Sequence, residues 1–595
     1  MNLNQSRQYH PELLRQESCS ICRVFEYVTG RLNIVSNASE ETPINSKEVL
    51  FMAKYNVTTN YGTKKGTNAA DTFNVYGYEN SVYGKGGKDI INVYGTENTV
   101  YGDSGADRIT VFKGGNSWSS HTIYGGSGND IFVVKKNKSI YANLYGGAGN
   151  DKFTVNGGSS VSVYGDSRPS DKKKVKGNDT ITFNNVVFAY ADGGAGNDSI
   201  TVNGGTKANG YLYGGAGNDT IKVHAGSFQV EGGAGNDTII LDKKAKSQGG
   251  YESVNTQIYG DAGKDTITVT SGKNFFGIDG GTGNDKISVS GGKRHKIYGG
   301  TGNDVITLKN STHYNTVYEY YDGTKKTTIY QTEVYGGAGN DTITVSGGSY
   351  NKVIGDYAYS SSGNAIGHDT IYVKSGTSHE IFTGWGNDKV FVSGGSNIFI
   401  KNGINESHMY VPGNDARCDN DRIEISGGKN ITFIGSGGTY DGKEYGADTV
   451  IISGGTGLDI STNDCADTIT ISGGTGKVDT GSGKDKVTIN WSKAVGDYFI
   501  TADKLLDDRI VINNAKSTDF TVSRDYSYWG LGYVDHDYLI FTNKSSGVAI
   551  TLAGWSENDA TTYGVYFSED KKIVYSKPMD SPILDAVRAT PGYSG

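Results

Sequence analysis

The sequence predicts an all-β protein: a parallel β-roll or β-helix solenoid of about nineteen coils of two half-turns each, followed by a C-terminal β-rich capping domain. Two observations predict this fold. A short glycine-rich unit recurs from about residue 66 to residue 489, and each copy runs into alternating polar and apolar residues. Repetition at a fixed short period is typical of solenoids, so it overrides the several domains that 595 residues would otherwise suggest.

The repeated unit predicts a turn followed by a strand. At 335–345 it reads Y-G-G-A-G-N-D-T-I-T-V. Its three glycines permit positive φ, and the Asn-Asp pair tolerates such turns, so the first half predicts a tight turn. In the second half Ile343 and Val345 alternate with threonines, which places both on one face of a short strand.

The turn motif G-G-x-G-N-D has eight full copies, at 125–130, 146–151, 193–198, 214–219, 232–237, 280–285, 299–304 and 336–341. Relaxed copies end at Asp71, Asp89, Asp107, Asp265, Asp388, Asp467 and Asp485, and copies with an insertion end at Asp179, Asp369, Asp421 and Asp448. In the tightest stretches successive aspartates are 18 or 19 residues apart, which is one coil of two half-turns.

This pattern resembles the hemolysin-type calcium-binding repeat of the RTX (repeats-in-toxin) family, G-G-x-G-x-D-x-U-x, where U is apolar. The resemblance implies that each turn holds Ca²⁺ through backbone carbonyls and the Asp carboxylate, shared with the next coil. Ca²⁺ is a hard cation that takes about six to eight oxygen ligands in flexible geometry, which such turns supply. The implied cofactor is therefore calcium, as multiple ions.

The resemblance implies a ligand set of four kinds. The glycines are Gly125, Gly146, Gly193, Gly214, Gly232, Gly280, Gly299 and Gly336, and the third-position residues are Ser127, Ala148, Ala216, Thr282, Thr301 and Ala338. The asparagines are Asn129, Asn150, Asn218, Asn284, Asn303 and Asn340. The aspartates are Asp89, Asp107, Asp130, Asp151, Asp179, Asp198, Asp219, Asp237, Asp265, Asp285, Asp304, Asp341, Asp369, Asp388, Asp448, Asp467 and Asp485.

Every second turn departs from this motif. It reads S-G-G or N-G-G, as at 346–348 and 203–205, and it has no aspartate. We therefore expect calcium sites along one edge of the roll and a metal-poor edge opposite.

The chain divides into five segments. Residues 1–51 are an atypical N-terminal segment, and it stays open whether they belong to the native protein or whether it begins at Met52. Residues 52–65 lead into the β-roll, which spans 66–492. Residues 493–575 resemble the cap that follows RTX repeats, and 576–595 are a tail. The resemblance implies that an uncleaved signal for type I secretion lies in this last region.

Two surface features suggest binding. Tyrosines recur just before the turn and predict a stacked ladder: Tyr83, Tyr101, Tyr124, Tyr145, Tyr164, Tyr213, Tyr259, Tyr298 and Tyr335. Insertions fall at 167–176, 310–333, 357–366, 402–420 and 436–445, and the tyrosine-rich patch 313–330 is the first candidate for specific binding.

These features predict a secreted calcium-binding β-roll protein that folds on extracellular Ca²⁺ and acts as a structural, adhesive or surface-associated component. A net charge of −8 without a basic stripe argues against nucleic acid as a partner. The sequence has no transmembrane stretch and no H-E-x-x-H, G-x-S-x-G or P-loop motif, so we expect a non-enzyme. The alternatives are a carbohydrate- or ice-binding module, with surface glycans as partners, or a polysaccharide-modifying enzyme.

Overall fold

The computed structural model describes residues 24–28, 31–35, 52–114, 119–167, 175–204, 208–242, 257–270, 277–319, 325–356, 367–403, 420–435, 438–440, 443–501, 508–529, 533–553, 563–576 and 587–589. Its strands are numbered β1 to β53 in chain order, and hydrogen bonds join 47 of them into one sheet. The expected all-β parallel solenoid is confirmed.

Most strands belong to two parallel ladders, and the chain alternates between them. The first ladder contains β3 (Lys54–Val57), β5 (Thr72–Val75), β7 (Ile90–Val93), β9 (Arg108–Val111), β11 (Ile131–Val134), β13 (Lys152–Val155), β15 (Thr180–Phe183), β17 (Ser199–Val202), β19 (Thr220–Val223), β21 (Thr238–Leu241), β23 (Thr266–Thr270), β25 (Lys286–Ser290), β27 (Val305–Lys309), β31 (Thr342–Ser349), β33 (Thr370–Thr377), β35 (Lys389–Val392), β37 (Arg422–Ile425), β41 (Thr449–Ile452), β43 (Thr468–Ile471), β45 (Lys486–Asn490), β47 (Arg509–Asn513) and β51 (Tyr563–Phe567). The second contains β4 (Thr63–Lys65), β6 (Ser81–Tyr83), β8 (Thr99–Ser104), β10 (His121–Ser127), β12 (Tyr141–Ala148), β14 (Ser160–Tyr164), β16 (Phe188–Ala195), β18 (Asn209–Ala216), β20 (Ser227–Ala234), β22 (Gln257–Ala262), β24 (Gly277–Asp279), β26 (Lys296–Thr301), β30 (Thr332–Ala338), β32 (Asn351–Asp356), β34 (Glu380–Phe382), β36 (Ser396–Lys401), β38 (Lys429–Ile434), β42 (Leu458–Ser461), β44 (Gly474–Asp479), β46 (Val495–Thr501) and β50 (Ala549–Ala553).

The core lies between the two ladders. Alternation along each strand sends every second side chain inward, and Ile343 and Val345 are both 0% exposed. In-register pairing stacks like on like from coil to coil: Phe132 pairs with Phe153, and their ring centroids lie 4.4 Å apart. A thin solenoid therefore obtains one continuous apolar core from a chain that is only 35% hydrophobic.

The glycines of the turn have two different roles. Gly337 and Gly339 have φ of 115° and 122°, as the turn prediction requires. Gly336 does not take a positive φ, so our expectation that all three glycines use positive φ is wrong for the first one. A Cβ on Gly336 would meet Oδ2 of Asp341 and a backbone carbonyl, so this glycine is needed for space.

Insertions leave the ladders in register. The coil between Asp304 and Asp341 is 37 residues long, yet β26 still pairs with β30 and β27 with β31. Two insertions form antiparallel hairpins outside the ladders: β28 (Tyr314–Glu319) with β29 (Lys325–Tyr330), and β39 (Gly438–Tyr440) with β40 (Lys443–Tyr445). The insertion at 357–366 lies outside the described residues.

Both ladders continue into 493–575, the segment expected to form the cap. Strand β46 pairs in parallel with β44, β47 with β45, β50 with β46 and β51 with β47. Antiparallel strands β48 (Phe520–Trp529), β49 (Tyr533–Asn543), β52 (Lys572–Ser576) and β53 (Val587–Ala589) then complete this end. A short 3₁₀ helix, Ser517–Asp519, precedes β48.

Little is described of the two ends. In 1–51 an antiparallel pair is described, β1 (Val24–Val28) with β2 (Arg31–Val35). In the predicted tail, β53 pairs with β52, whereas 577–586 and 590–595 lie outside the described residues. Within the described ranges, no helix has the length and apolarity to cross a bilayer.

Candidate metal centres

The turn aspartates form one unbroken column along an edge of the solenoid, here called the aspartate edge. The backbone N–H of each aspartate donates to Oδ1 of the aspartate in the next coil, at 2.6–3.0 Å, from Asp71 to Asp508. From Asp71 to Asp485 each of these residues is at most 3% exposed. One oxygen of every carboxylate is therefore fixed by the fold.

The other carboxylate oxygen of most of these residues has no hydrogen-bond partner. Within the described residues, a buried Oδ2 without a partner occurs in Asp89, Asp107, Asp130, Asp151, Asp179, Asp198, Asp219, Asp237, Asp265, Asp285, Asp304, Asp341, Asp369, Asp388 and Asp467. A buried charged oxygen that lacks a partner is costly, so a regular series of them indicates a missing cation or proton.

Most of the unpartnered Oδ2 atoms lie beside a space that we call the cradle, whereas those of Asp388 and Asp467 lie in coils that begin with Thr383 and Thr462 instead of glycine. The cradle lies at the first glycine of the coil, between Oδ2 of that coil's aspartate and the carbonyl oxygen of the first residue in the next coil. A Cβ built on Gly232 would fall 2.6 Å from Oδ2 of Asp237 and 2.7 Å from the carbonyl oxygen of Gly260. Gly125, Gly146, Gly193, Gly214, Gly280, Gly299 and Gly336 adjoin equivalent pairs of oxygens.

Burial raises the pKa of the column carboxyls. It raises the pKa of Asp151 to about 8 and that of Asp341 to about 9. The N–H that each accepts from the preceding aspartate lowers the pKa, and the charges of the neighbouring carboxylates raise it. Both raising effects penalise a carboxylate without a counter-charge.

The other predicted ligand positions take part in bonds between coils. The third-position carbonyls accept the N–H of a glycine in the preceding coil, as Ala148 does from Gly128 at 2.7 Å. The fifth-position asparagines form a second side-chain ladder on the outside, where Oδ1 of Asn129 accepts the N–H of Asn150 at 2.9 Å. These carbonyls keep a second lone pair. Among the predicted ligand side chains that the structure describes, the buried atoms without a hydrogen-bond partner are aspartate Oδ2 atoms.

Backbone oxygen is essential to any cation site here. In the described ranges no three His, Cys, Asp or Glu side chains come together as a metal site made of side chains alone would require. One carboxylate oxygen and several turn carbonyls per coil form an oxygen-only donor set, which suits Ca²⁺ and does not suit a metal that prefers nitrogen or sulfur. The residues therefore fit calcium.

The opposite edge repeats the hydrogen-bond pattern with uncharged side chains. Oδ1 of Asn98 accepts the N–H of Asn80 at 2.9 Å, and Nδ1 of His121 accepts the N–H of Asn98 at 3.2 Å. His379 accepts from Asn351 in the same way at 3.3 Å. Burial lowers the pKa of His121 and His379. This edge therefore carries neutral side chains at the positions where the first edge carries carboxylates.

Sequence reasoning missed two kinds of residue at the aspartate edge. Asp508 ends the column, and its only signal is the D-x-U-x-U pattern of 508–512, without glycines. Aspartate also replaces the second glycine in some turns, where Oδ2 of Asp166 accepts the N–H of Ala195 at 2.7 Å and that of Asp356 accepts the N–H of Trp385 at 2.9 Å. In the sequence, these sites are indicated by the dipeptide G-D where other turns have G-G.

Comparison with known families agrees with the geometry. A family model described as the RTX calcium-binding nonapeptide repeat (4 copies) matches residues 75–109, 122–134, 143–161, 204–239, 257–276, 296–308 and 333–349. A search of curated proteins finds no match. The matched ranges contain aspartates of the column together with the strands that follow them. The chain therefore carries RTX calcium-binding nonapeptide repeats at several places between residues 75 and 349.

Proposed function

We propose that this chain is a secreted protein that folds when its aspartate column takes up Ca²⁺, and that the folded solenoid is a structural or adhesive component outside the cell. The series of buried Oδ2 atoms without partners, most of them facing a carbonyl oxygen across a cradle, carries the proposal. Bound Ca²⁺ supplies positive charge and accepts oxygen ligands at flexible geometry.

The residues present explain why folding depends on the ion. Stacked strands lie about 4.8 Å apart, and two carboxylates at about 5 Å repel by roughly 0.8 kcal/mol in water and by more when buried. The glycines of each turn add an ordering cost. Without a cation the aspartate edge opposes folding, and with one the binding free energy becomes folding free energy.

This linkage suits export. A chain that stays loose at low cytosolic Ca²⁺ can pass through secretion machinery and fold outside, where calcium is abundant. We propose the type I route, with the signal in the last residues of the chain, which lie largely outside the described ranges. The extracellular partners are then Ca²⁺ and, for an adhesive role, components of a cell surface.

We place glycan or ice binding second. The tyrosines from Tyr83 to Tyr164 stack face to face at 4.7–5.0 Å, so their faces contact one another and only their edges are open to a sugar ring. The outward residues of the first ladder include Lys222, Ile240 and Glu424 beside threonines, so this face lacks the uniformity of an ice-binding plane. We also propose no catalytic role, since metal binding accounts for the buried aspartates.

Counting bound calcium tests the proposal. The full chain is dialysed against increasing Ca²⁺ at neutral pH, with Mg²⁺ as the control ion, and bound metal is measured per chain. We expect many Ca²⁺ ions taken up over a narrow concentration range and little Mg²⁺, because Mg²⁺ demands a stricter octahedral geometry. Uptake of one ion or none would contradict the proposal, and specific retention on a glycan array would favour the second candidate.

A further inference from the structure

The cradles of the C-terminal coils differ from those before them. From Gly84 to Gly355 each coil that is described at this position has glycine first in its turn, whereas the later coils begin with Thr383, Asn402, Thr462 and Thr480, and Gly435 is the exception. All four replacing side chains are buried, at most 4% exposed. They also follow residue 349, where the last range matched by the repeat model ends.

The replacing side chains hydrogen-bond to cradle groups. Nδ2 of Asn402 donates to both carboxylate oxygens of Asp448, at 3.1 and 3.3 Å. The cradle at Gly435 is not filled by a side chain, since a Cβ there would fall 2.5 Å from the carbonyl oxygen of Thr462 and 2.7 Å from Oδ2 of Asp448, but its carboxylate already has an amide donor.

Two of the threonines donate hydrogen bonds to the next coil, one to the backbone carbonyl that bounds the cradle and one to the side chain at the first position of that coil. Oγ1 of Thr462 donates to the carbonyl oxygen of Thr480 at 2.9 Å, which is the carbonyl that would face an ion in that coil. Oγ1 of Thr383 donates to Oδ1 of Asn402 at 3.0 Å. Each side chain also places carbon atoms where the earlier coils have none, so a cation could enter only by displacing it.

We infer that the column is divided into two parts: the glycine-lined coils from Asp89 to Asp369 bind Ca²⁺ and need it to fold, whereas the coils from Asp388 to Asp485 bind no Ca²⁺ in their cradles and stay folded without it. In the second part a side chain fills the cradle or, at Asp448, donates to the carboxylate. Because Oδ2 of Asp388 and of Asp467 also lacks a hydrogen-bond partner, the division rests on the filled space and not on the partners of the carboxylates. This inference rests on the proposed calcium-dependent folding. The C-terminal coils thereby provide a preformed end on which the calcium-dependent coils assemble, since each coil of a solenoid is stabilised by its neighbours.

Hydrogen exchange of the full chain, followed by mass spectrometry, tests the division. In calcium, peptides from both parts should be protected. In chelator, peptides covering β11 and β19 should lose their protection, whereas peptides covering β43 and β45 should keep it. Equal loss in both parts would overturn the division, and no loss anywhere would instead overturn calcium-dependent folding itself.

A matched pair of substitutions gives an independent measurement. Asp219 and Asp467 are equally buried, and an asparagine at either position can still accept the N–H that Oδ1 accepts now. Native mass spectrometry should find fewer bound Ca²⁺ ions in Asp219→Asn and the wild-type number in Asp467→Asn. If Asp467→Asn loses ions as Asp219→Asn does, the division is wrong; if Asp219→Asn keeps the wild-type count, the proposed calcium function fails.

Discussion

At the scale of single residues, the aspartate edge depends on a contrast between two atoms of the same side chain. Oδ1 of Asp219 accepts the N–H of Asp198 at 2.7 Å, whereas its Oδ2 lacks a partner. The sequence motif predicted the aspartate and the turn, because both are local. It could not predict which oxygen is left over, since that depends on the next coil.

In the glycine-lined coils, the first position of the turn has no room for a Cβ, and a substitution there tests this. Gly232→Ala would place a Cβ within 3 Å of both Asp237 Oδ2 and the carbonyl of Gly260, so we expect a destabilisation of about 1–3 kcal/mol from overpacking. Urea unfolding in saturating Ca²⁺ measures it. Gly86→Ala is the matched control, since its Cβ would meet nothing nearer than 3.4 Å and other coils have alanine there. Equal midpoints for the two variants would contradict the space argument.

The raised pKa values predict how the metal-free fold responds to pH. Burial raises the pKa of Asp89 to about 6 and that of Asp341 to about 9, from 3.8. The folded state therefore binds more protons than the unfolded state, and its stability falls as pH rises. Proton-linked stability should be fully present below about pH 4, fall progressively as the pH rises, and be lost above about pH 6 for Asp89 and about pH 9 for Asp341.

Circular dichroism in chelator measures this dependence. We expect β-structure to increase as the pH is lowered from 9 to 5, with the protons taking the place of the cation. A control in saturating Ca²⁺ should be folded at pH 8 already. A metal-free chain that is more folded at pH 8 than at pH 5 would reverse the predicted sign.

At the scale of elements, the alternation of polar and apolar residues predicted where strands form, but not which strands pair with each other. The pattern D-T-I-T-V gives the inward face of β31 without any tertiary information. It does not show that β27 pairs with β31 across a 37-residue coil, because the insertion at 310–333 has no local marker of register. The filled cradles were also missed, since Thr383 and Thr462 are ordinary turn residues in sequence.

The tyrosine ladder is a second example at this scale. Tyrosines from Tyr83 to Tyr164 stack as expected, and so do Tyr298 and Tyr335, at 4.9 Å. Between these two runs Asp192, Glu231 and Asp279 occupy the same register positions, so the ladder is interrupted. The sequence indicated the tyrosines but not the acidic residues that align with them.

Core packing between coils predicts a large effect of one aromatic side chain. Phe153 is fully buried and stacks on Phe132, so Phe153→Ala should cost about 3–5 kcal/mol. The midpoint of urea unfolding in saturating Ca²⁺ should fall accordingly. Thr154→Ala, on the outer face of the same strand, should leave the midpoint nearly unchanged. Similar shifts for the two variants would mean that this part of the core is not packed as described.

At the scale of the whole molecule, the solenoid is a linear array in which each coil contacts the coils before and after it. Stability in such an array is close to a sum of coil and interface terms, so a cation bound between coils acts on both neighbours. Uptake of successive ions is therefore expected to be cooperative. Repetition in the sequence predicted this architecture, whereas the continuation of both ladders past Trp491 became visible only through strand pairing.

Far-UV circular dichroism of the full chain during a calcium titration tests the central claim most directly. The account predicts a minor β signal in chelator at neutral pH, contributed by the C-terminal coils, and a steep rise to full β-structure as Ca²⁺ is added, with no comparable rise in Mg²⁺. A chain that already shows its full β signal in chelator, and gains none with Ca²⁺, would contradict it, because the unpartnered aspartate oxygens would then need no cation.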